Sequence, residues 1–385
     1  MKELIELNIP IVAVHPLWGR WQHMFYFYKD KRVLSHCLPI IPDKSEKVFN
    51  SRFDRISKDI KDLDVIAKMK GLRILVVTDK PMLGEYEPTY EQYKDEGWEE
   101  YQRRYIKNLS ELGASLIVKP QSEMVELMKK ADDDKAEKIA RMWIEGAAGI
   151  RGTNEEEIKK SAKLYLAMKK MMDIYKADAI TTEGYTVFQY YKGGPIPSQG
   201  MPSSQFLTDG IVATSETLID SLITQQFGLW ITGSPGFNGD FIIDPDNNKV
   251  YIGHCECPIN PWGDKRRVPY YIRNLPLWEE NKGGAAIQVN LPVNVPVTVV
   301  KFSVHDKKIS LFTGKSVDGN ELYPYFEDIL CRTKVAIDTN AKKIFEKVDW
   351  KTFGVHRVVF FGDYRDEFKR LGKLLGYEVI EKDKD

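Results

Sequence analysis

The chain has 385 residues, which suits two or three domains, and 43% of them are hydrophobic, so each domain can bury a core. Its 56 Lys and Arg balance its 56 Asp and Glu, which argues against a general nucleic-acid or membrane-surface binder, since these need a basic excess. Four cysteines do not make a disulfide framework. With no secretory signal and no apolar run near the ~18 residues of a membrane span, we expect a soluble cytoplasmic protein.

The N-terminal half is predicted to be α/β. Residues 1–72 lack a clean period and are expected to cover the first α/β unit. From Leu72 the pattern sharpens: "LRILVVTD" and "ASLIVKP" are short apolar runs typical of buried parallel strands, and a helix that ends at Gly113 lies between them. A long helix follows, opened by a capping box from Thr153 to Glu156, and its methionines fall on a core-facing stripe.

A second α/β unit is predicted after this helix. "ADAITTEGY" reads as a strand, and Glu183 comes just past its carboxyl end, where open α/β sheets bind ligands. "SETLIDSLITQQFGLWITG" reads as a helix with Ser215 as N-cap and Glu216 in its first turn. "GDFIIDPDNNKVYIGH" indicates a hairpin with turn chemistry at Asp244–Asn248.

Past residue 285 the pattern changes to antiparallel β structure, because strand follows strand from "AAIQVN" to "CRTKVAID", as in a barrel or sandwich. The chain ends with strand "RVVFF", a helix and strand "YEVI". The predicted fold class is therefore α/β, with two Rossmann-like α/β units followed by an antiparallel β-rich, barrel-like C-terminal domain. The predicted segments are 1–72, 73–182, 183–285 and 286–385.

The stretch "YIGHCECPINPWG" places four metal-binding side-chain types side by side: His254, Cys255, Glu256 and Cys257. A closed zinc site needs four ligands, usually as two close pairs, but Cys37 and Cys331 stand alone and far away in the sequence. Two other interpretations remain open. His254 ends a strand while the cysteines pack as small hydrophobic side chains, or His254 lines an active site.

Three further residues are candidates for chemistry, and each also has a plain structural explanation. Glu216 in the first turn of a helix would complement the helix dipole. Glu183 would be a solvated loop acid, and His356, which precedes an apolar strand, a hydrogen-bonded structural residue. The chain has no G-x-G-x-x-G after a strand, no Walker loop and no G-x-S-x-G. Single residues therefore do not decide the function.

Taken together, the segments resemble the L-fucose and L-arabinose isomerase family, which comprises metal-dependent aldose–ketose isomerases and a branch of shorter homologues. The resemblance covers roughly residues 72–385. It rests on the order and spacing of these stretches: "KADAITTEGY", "QFLTDGIVATSETLIDSLITQQFGLWITG", "DFIIDPDNNKVYIGHCECP", "CRTKVAID" and "FGVHRVVFFGDYRDEFKRLGKLLGYEVIE". The family's fold of two α/β units and a β-rich domain is close to the predicted pattern.

The resemblance implies an open site in which two acidic residues and one His hold Mn²⁺ or another divalent cation. His356 matches the family's metal histidine in the Gly-x-His before the final strand, and Glu216 matches the acid of the "ATSET" stretch within one residue. Glu183 is the second acid by its position. The family pattern often continues with an Asp two residues after the first acid; here that position is Leu218, and Asp220 follows it.

The implied function is an aldose–ketose isomerase that acts through an enediol intermediate. Glu183 and Glu216 would exchange the proton, the metal would polarise the carbonyl, and His254 would bind the sugar. The expected partners are a small-molecule sugar and further copies of the chain, with Trp18–Tyr28 as a candidate interface. The alternatives are a non-catalytic sugar-binding or regulatory member of the same fold and a metal-dependent epimerase or aldolase.

Overall fold

The computed structural model describes residues 9–16, 32–38, 46–79, 94–183, 198–275, 284–319 and 331–385. The predicted interface segment Trp18–Tyr28 lies outside the described residues. The helices of these ranges are α1 (Glu46–Met69), α2 (Trp98–Leu112), α3 (Gln121–Lys129), α4 (Asp133–Gly146), α5 (Glu155–Tyr175), α6 (Gly200–Thr208), α7 (Ile219–Thr232), α8 (Ala341–Glu346), α9 (Trp350–Phe353) and α10 (Arg365–Leu375). The strands are β1 (Ile11–Pro16), β2 (Val33–Leu38), β3 (Arg73–Val77), β4 (Ser115–Lys119), β5 (Gly149–Arg151), β6 (Ala179–Thr182), β7 (Ala213–Thr214), β8 (Phe237–Asp244), β9 (Lys249–His254), β10 (Tyr270–Arg273), β11 (Ala286–Val289), β12 (Pro296–Ser303), β13 (Lys308–Asp318), β14 (Thr333–Asp338), β15 (His356–Phe361) and β16 (Glu378–Glu381).

A four-stranded parallel sheet forms the α/β part, in the order β4-β3-β6-β7. The four apolar residues of β3 after Arg73 are fully buried, as expected for a strand covered on both faces. The parallel α/β structure predicted for 72–183 is therefore confirmed. The capping box predicted at Thr153 is wrong by one residue, because the Asn154 side chain caps α5 by accepting from the backbone N–H of Glu157.

Antiparallel strands form the second large sheet, in the order β12-β15-β8-β9-β14-β13-β16. An additional β12–β13 pairing closes the six strands from β12 to β13 on themselves as a barrel, and β16 pairs in parallel with β13 at its edge. The antiparallel structure predicted after residue 285 and the predicted hairpin β8–β9 are confirmed.

The hairpin β8–β9 precedes residue 285 but belongs to this barrel. Its two outer edges are hydrogen-bonded to β15 and β14, so one sheet joins residues from both sides of the predicted boundary at 285/286. The physical reason is that an exposed hairpin edge carries unpaired backbone groups, which pairing with later strands satisfies. A third small sheet, β11-β10-β5, adds a parallel contact between β5 and β10.

The N-terminal helix α1 packs against α7, α10 and the strands β1 and β2. Its apolar residues Val65, Ile66 and Met69 share one core cluster with β3, α7 and α10. Arg370 of α10 binds the buried Asp62 of α1 at 2.9 Å. Helix α1 therefore contacts the C-terminal helix and shares a core cluster with the parallel sheet. No helix in the described ranges is both long enough and apolar enough to cross a bilayer.

The contact between α7 and the barrel leaves no room for a side chain at Gly228. A Cβ there would lie 2.0 Å from a ring carbon of Phe360, which is fully buried on β15. Gly228→Ala should therefore lower the free energy of unfolding by about 2 kcal/mol, because forced overpacking outweighs the gain in helix propensity. Denaturant unfolding checks this, with Gly149→Ala as the control, since its new methyl would make ordinary contacts with Tyr271. Equal stability of G228A and wild type would show that α7 sits farther from β15.

Candidate metal centre

Three side chains from separate parts of the chain converge at one end of the barrel. His254 is the last residue of β9, His356 is the first residue of β15, and Glu216 lies on the loop between β7 and α7. One ligand atom from each lies within 4.8 Å of the others, so among the described residues this group could hold a metal ion. The sequence prediction paired Glu216 with His356 across 140 positions, and the structure brings these two together.

The geometry of the group leaves one open side. The Glu216 carboxylate reaches both rings, with Oε1 3.7 Å from His254 Nε2 and Oε2 3.6 Å from His356 Nε2. The two ring centroids are 5.5 Å apart. Only 6% and 3% of the His254 and His356 side chains are exposed, whereas 27% of the Glu216 side chain is. A ligand would therefore approach the group from the Glu216 side.

The loop that carries Glu216 has an unusual backbone. Glu216 and Thr217 both adopt positive φ, at 63° and 54°, a conformation that costs non-glycine residues of order 1–3 kcal/mol each. The backbone N–H of Thr217 donates to the Thr182 carbonyl at the end of β6, which fixes the loop to the parallel sheet. Strain that the surrounding structure maintains in this way is typical of functional sites.

The positive φ values correct the predicted start of α7. The helix begins at Ile219 with Leu218 as its N-cap, so Ser215 does not cap it and Glu216 does not lie in its first turn. A left-handed pair of residues cannot continue into a right-handed helix, which is why the helix starts later than its sequence pattern indicates. The helix-dipole explanation for Glu216 therefore no longer applies, and its role is sought at the two histidines.

Burial and neighbouring charges shift the pKa values of Glu216, His254 and His356 in different directions. Burial alone would raise the pKa of Glu216, but the adjoining His254 and His356 outweigh it and lower this pKa to about 2. Burial would lower the pKa of His254, but the carboxylates of Glu216 and Glu256 raise it to about 10. Burial dominates at His356 and lowers its pKa to about 3. Without a metal, the group thus holds an anionic Glu216, a cationic His254 and a neutral His356.

Two more carboxylates flank the group. Asp240 of β8, half-exposed, has an oxygen 3.4 Å from His356 Nε2. Glu256 is 2% exposed, and its Oε1 lies 3.8 Å from His254 Nδ1. Burial raises the pKa of Glu256 above its ordinary value, and the neighbouring His254 partly offsets this. Carboxyl groups thus lie on both sides of the two histidines, where a bound cation would favour their charged forms.

The structure does not bring Glu183 into this group. Its carboxylate lies at the carboxyl edge of the parallel sheet, where it accepts hydrogen bonds from Thr78 Oγ1 at 2.8 Å and Gln121 Nε2 at 2.9 Å. Glu183 is 1% exposed, so it is not the solvated loop acid of the plain explanation. These two donors direct its carboxylate to β3 and α3, although its backbone is one residue from the anchor of the Glu216 loop.

Neither Leu218 nor Asp220 supplies the missing family ligand. Leu218 is fully buried. Asp220 is 4% exposed, and its Oδ1 accepts from Tyr105 Oη at 2.7 Å and from the backbone of Val304. Asp220 thus joins α7 to α2 and β12, and His254 takes the third place in the candidate set.

In the "HCEC" stretch, His254 lies in the candidate metal centre, whereas both cysteines lie in hydrophobic clusters. His254, predicted as a sugar-binding residue outside the metal set, is part of the group that could hold the ion. Cys255 packs with Leu275, Ala286 and Cys331, and Cys257 is fully buried in the main core. Burial raises the pKa of Cys257 well above its ordinary value, so its thiol stays protonated and is a poor metal ligand.

Replacing Cys255 and Cys257 together by Ser should leave the bound-metal stoichiometry unchanged. Their sulfur atoms are outside the Glu216–His254–His356 group. Stability should fall, because each Ser buries a hydroxyl in an apolar setting. Elemental analysis of the purified variant checks the metal content. A loss of tightly bound zinc in the double variant would contradict this placement.

Sequence reasoning did not assign His254 and Asp240 to the metal group, since their arrangement depends on strand register. Asp240 pairs with His356 and also with Gly253, the residue before His254. Strands β9 and β15, which lie on either side of β8, thus deliver both histidines to one place. The available signal was the predicted hairpin ending at His254, but the partner strand β15 lies about 100 residues further along the chain.

No protein-family model matches the chain, and none of the curated proteins matches it either. The resemblance to sugar isomerases therefore stays an expectation, and any function is argued from the geometry of this centre.

Proposed function

We propose that the chain is a metal-dependent sugar isomerase, which converts an open-chain aldose to a ketose through an enediol. The observation that carries the proposal is the meeting of Glu216, His254 and His356 at a partly open site. Two imidazoles and one carboxylate with open positions form a donor set suited to Mn²⁺, Fe²⁺ and other divalent first-row ions. The residues therefore fit the cofactor that the resemblance implies, and we propose Mn²⁺ or a similar ion.

The proposed ion would act as a Lewis acid toward the sugar carbonyl. The residues of this chain would then position the substrate and move the proton. Glu216 is the exposed member of the group and the one a sugar would reach first. The backbone contact between Thr217 and Thr182 puts the Glu183 segment beside the Glu216 segment. We propose these two carboxylates as the acid and base that transfer a proton between adjacent carbons. For this role the Glu183 carboxylate must leave Thr78 and Gln121 and turn toward the centre when a sugar binds.

Several finer expectations belong with this proposal. They are a division of the α/β part into two units, a small-molecule sugar partner, assembly into a homo-oligomer and a cytoplasmic location. A non-catalytic sugar-binding role would use the same centre but leave the sugar unchanged.

The test is product analysis with a panel of aldoses, with and without Mn²⁺, on protein first stripped with a chelator. We expect a ketose product, Mn²⁺-dependent turnover and loss of turnover in Glu216→Gln and Glu183→Gln. Sugar binding without turnover would favour the non-catalytic alternative. Products with an inverted centre or a broken carbon–carbon bond would favour the epimerase or the aldolase.

A further inference from the structure

The buried Glu256 contacts both the loop that carries Glu216 and the side chain of His254. It stands two residues after His254, at the end of β9. One of its oxygens, Oε1, accepts from the backbone N–H of Ser215 at 3.2 Å and lies 3.8 Å from Nδ1 of His254. Its second oxygen, Oε2, is buried and makes no hydrogen bond of ordinary geometry among the described residues, and the hydroxyl of Ser203 is its nearby donor. An almost fully buried carboxylate with spare acceptor capacity needs a further donor.

His254 has a ring nitrogen that could donate to this carboxylate. Its Nδ1 is buried and has no hydrogen-bond partner within the described ranges, while its Nε2 faces Glu216 and the proposed ion. A histidine that binds a metal through Nε2 must carry its proton on Nδ1, and metal-binding histidines almost always donate that proton to a carboxylate or carbonyl. The 3.8 Å separation is longer than a hydrogen bond, so the imidazole ring or the carboxylate must move closer for the bond to form.

We propose that Glu256 is a positioning residue for the metal centre. Its carboxylate accepts the Nδ1–H of His254, which fixes the ring with Nε2 toward the ion, and it anchors the strained loop that presents Glu216. This inference rests on the proposed metal centre but does not depend on which sugar, if any, the protein converts.

The anchoring role follows from the backbone of the loop. Two successive positive φ values at Glu216 and Thr217 persist only if the flanking backbone is fixed. Thr217 is fixed by the Thr182 carbonyl on one side. Ser215, on the other side, is fixed by Glu256. A single carboxylate thus sets the separation between Glu216 and His254.

The experiment compares wild type, Glu256→Gln and Glu256→Asp, with Glu346→Gln on the surface of α8 as the charge-removal control. Gln keeps the shape and an acceptor for Ser215 but loses the charge that holds the Nδ1 proton. We expect Mn²⁺ affinity to fall about 10- to 100-fold in E256Q, and the visible d–d spectrum of the Co²⁺ form to change. We expect E346Q to match wild type in both. E256D, which keeps the charge but is one methylene shorter, should recover part of the affinity and shows the charge effect if E256Q fails to fold.

A second arm needs no metal. In ¹⁵N NMR of histidine-labelled protein, the Nδ1 signal of His254 should be that of a protonated, hydrogen-bonded nitrogen in wild type and should shift in E256Q. Metal affinity within threefold of wild type in E256Q, together with an unchanged Nδ1 signal, would overturn the proposal. If wild type binds metal but converts no sugar, the isomerase proposal fails and the role of Glu256 stands. If wild type binds no metal at all, the isomerase proposal and the role of Glu256 at a metal centre both fail.

Discussion

Glu216→Gln should weaken Mn²⁺ binding by more than about 100-fold while leaving the fold intact, because loss of an outer-shell partner alone already costs 10- to 100-fold. The change keeps the shape of the side chain but removes the one anionic ligand of the Glu216–His254–His356 group. Glu216 is also partly exposed and sits outside the helix, so few packing contacts depend on it. The variant also loses the charge pair with His254, so the Mn²⁺-dependent shift of each protein is measured against its own metal-free form.

Thermal unfolding with and without Mn²⁺ measures this directly. At a metal concentration about 100 times the wild-type dissociation constant, binding to the folded state stabilises wild type by about 2.7 kcal/mol, and a variant 100-fold weaker by only about 0.4 kcal/mol. His356→Ala should lose the stabilisation in the same way, since it removes a neutral imidazole ligand. Asp220→Asn is the matched control, because its carboxylate binds Tyr105 instead. A full Mn²⁺ shift in E216Q would remove Glu216 from the metal site.

Lys334→Met should stabilise the protein, an unusual result for a charged residue. Lys334 on β14 is 8% exposed, and its Nζ is buried with no hydrogen-bond partner among the described residues. Burial, together with the nearby cations of Arg332 and Arg273, lowers its pKa to about 8. A folded-state pKa below the unfolded value of about 10.5 means that the charged form destabilises the fold, by about 3 kcal/mol at pH 7.

The sign of the pH dependence follows from this shift. The folded protein binds fewer protons at Lys334 than the unfolded chain between about pH 8 and 10.5, so the destabilisation is fully present below pH 8 and disappears as pH rises through that window. The stability gain of K334M should therefore be large at pH 7 and small at pH 10. Denaturant unfolding at both values checks it, with the exposed Lys315→Met as control. A lower stability of K334M at pH 7 would show that the ammonium has an anionic partner.

The elements of the fold could largely be predicted from the sequence, because each rests on local periodicity. Alternation after residue 285 predicted the antiparallel strands, and the Asp244–Asn248 turn predicted the hairpin that the structure contains. Barrel closure could not be predicted. It depends on pairing between β12 and β13 and on hydrogen bonds from the edges of the hairpin β8–β9 to β14 and β15, which lie far along the chain. Local patterns carry no information on which distant edges meet.

The candidate site, too, could be predicted only in part from the sequence. Glu216 and His356 were paired from a resemblance, and the structure brings them within 3.6 Å. Glu183 was assigned to the ion from its position after a strand, but its neighbours Thr78 and Gln121 hold it elsewhere. His254 was placed near the site but outside the ligand set, because the pairing of β9 and β15 with β8 that brings it beside His356 has no local sequence signal. The positive φ at Glu216 had no sequence signal, since no glycine marks it.

The central claim is that Glu216, His254 and His356 bind one divalent cation. A crystal structure of the Mn²⁺-loaded protein, with anomalous data collected near the manganese edge, tests it most directly. We expect a single strong anomalous peak from an ion bound by Glu216 and by the Nε2 atoms of both histidines. The Nδ1 atom of His254 should lie within hydrogen-bond distance of Glu256. A peak bound by Glu183 without His254, or no peak among the three side chains, would contradict it.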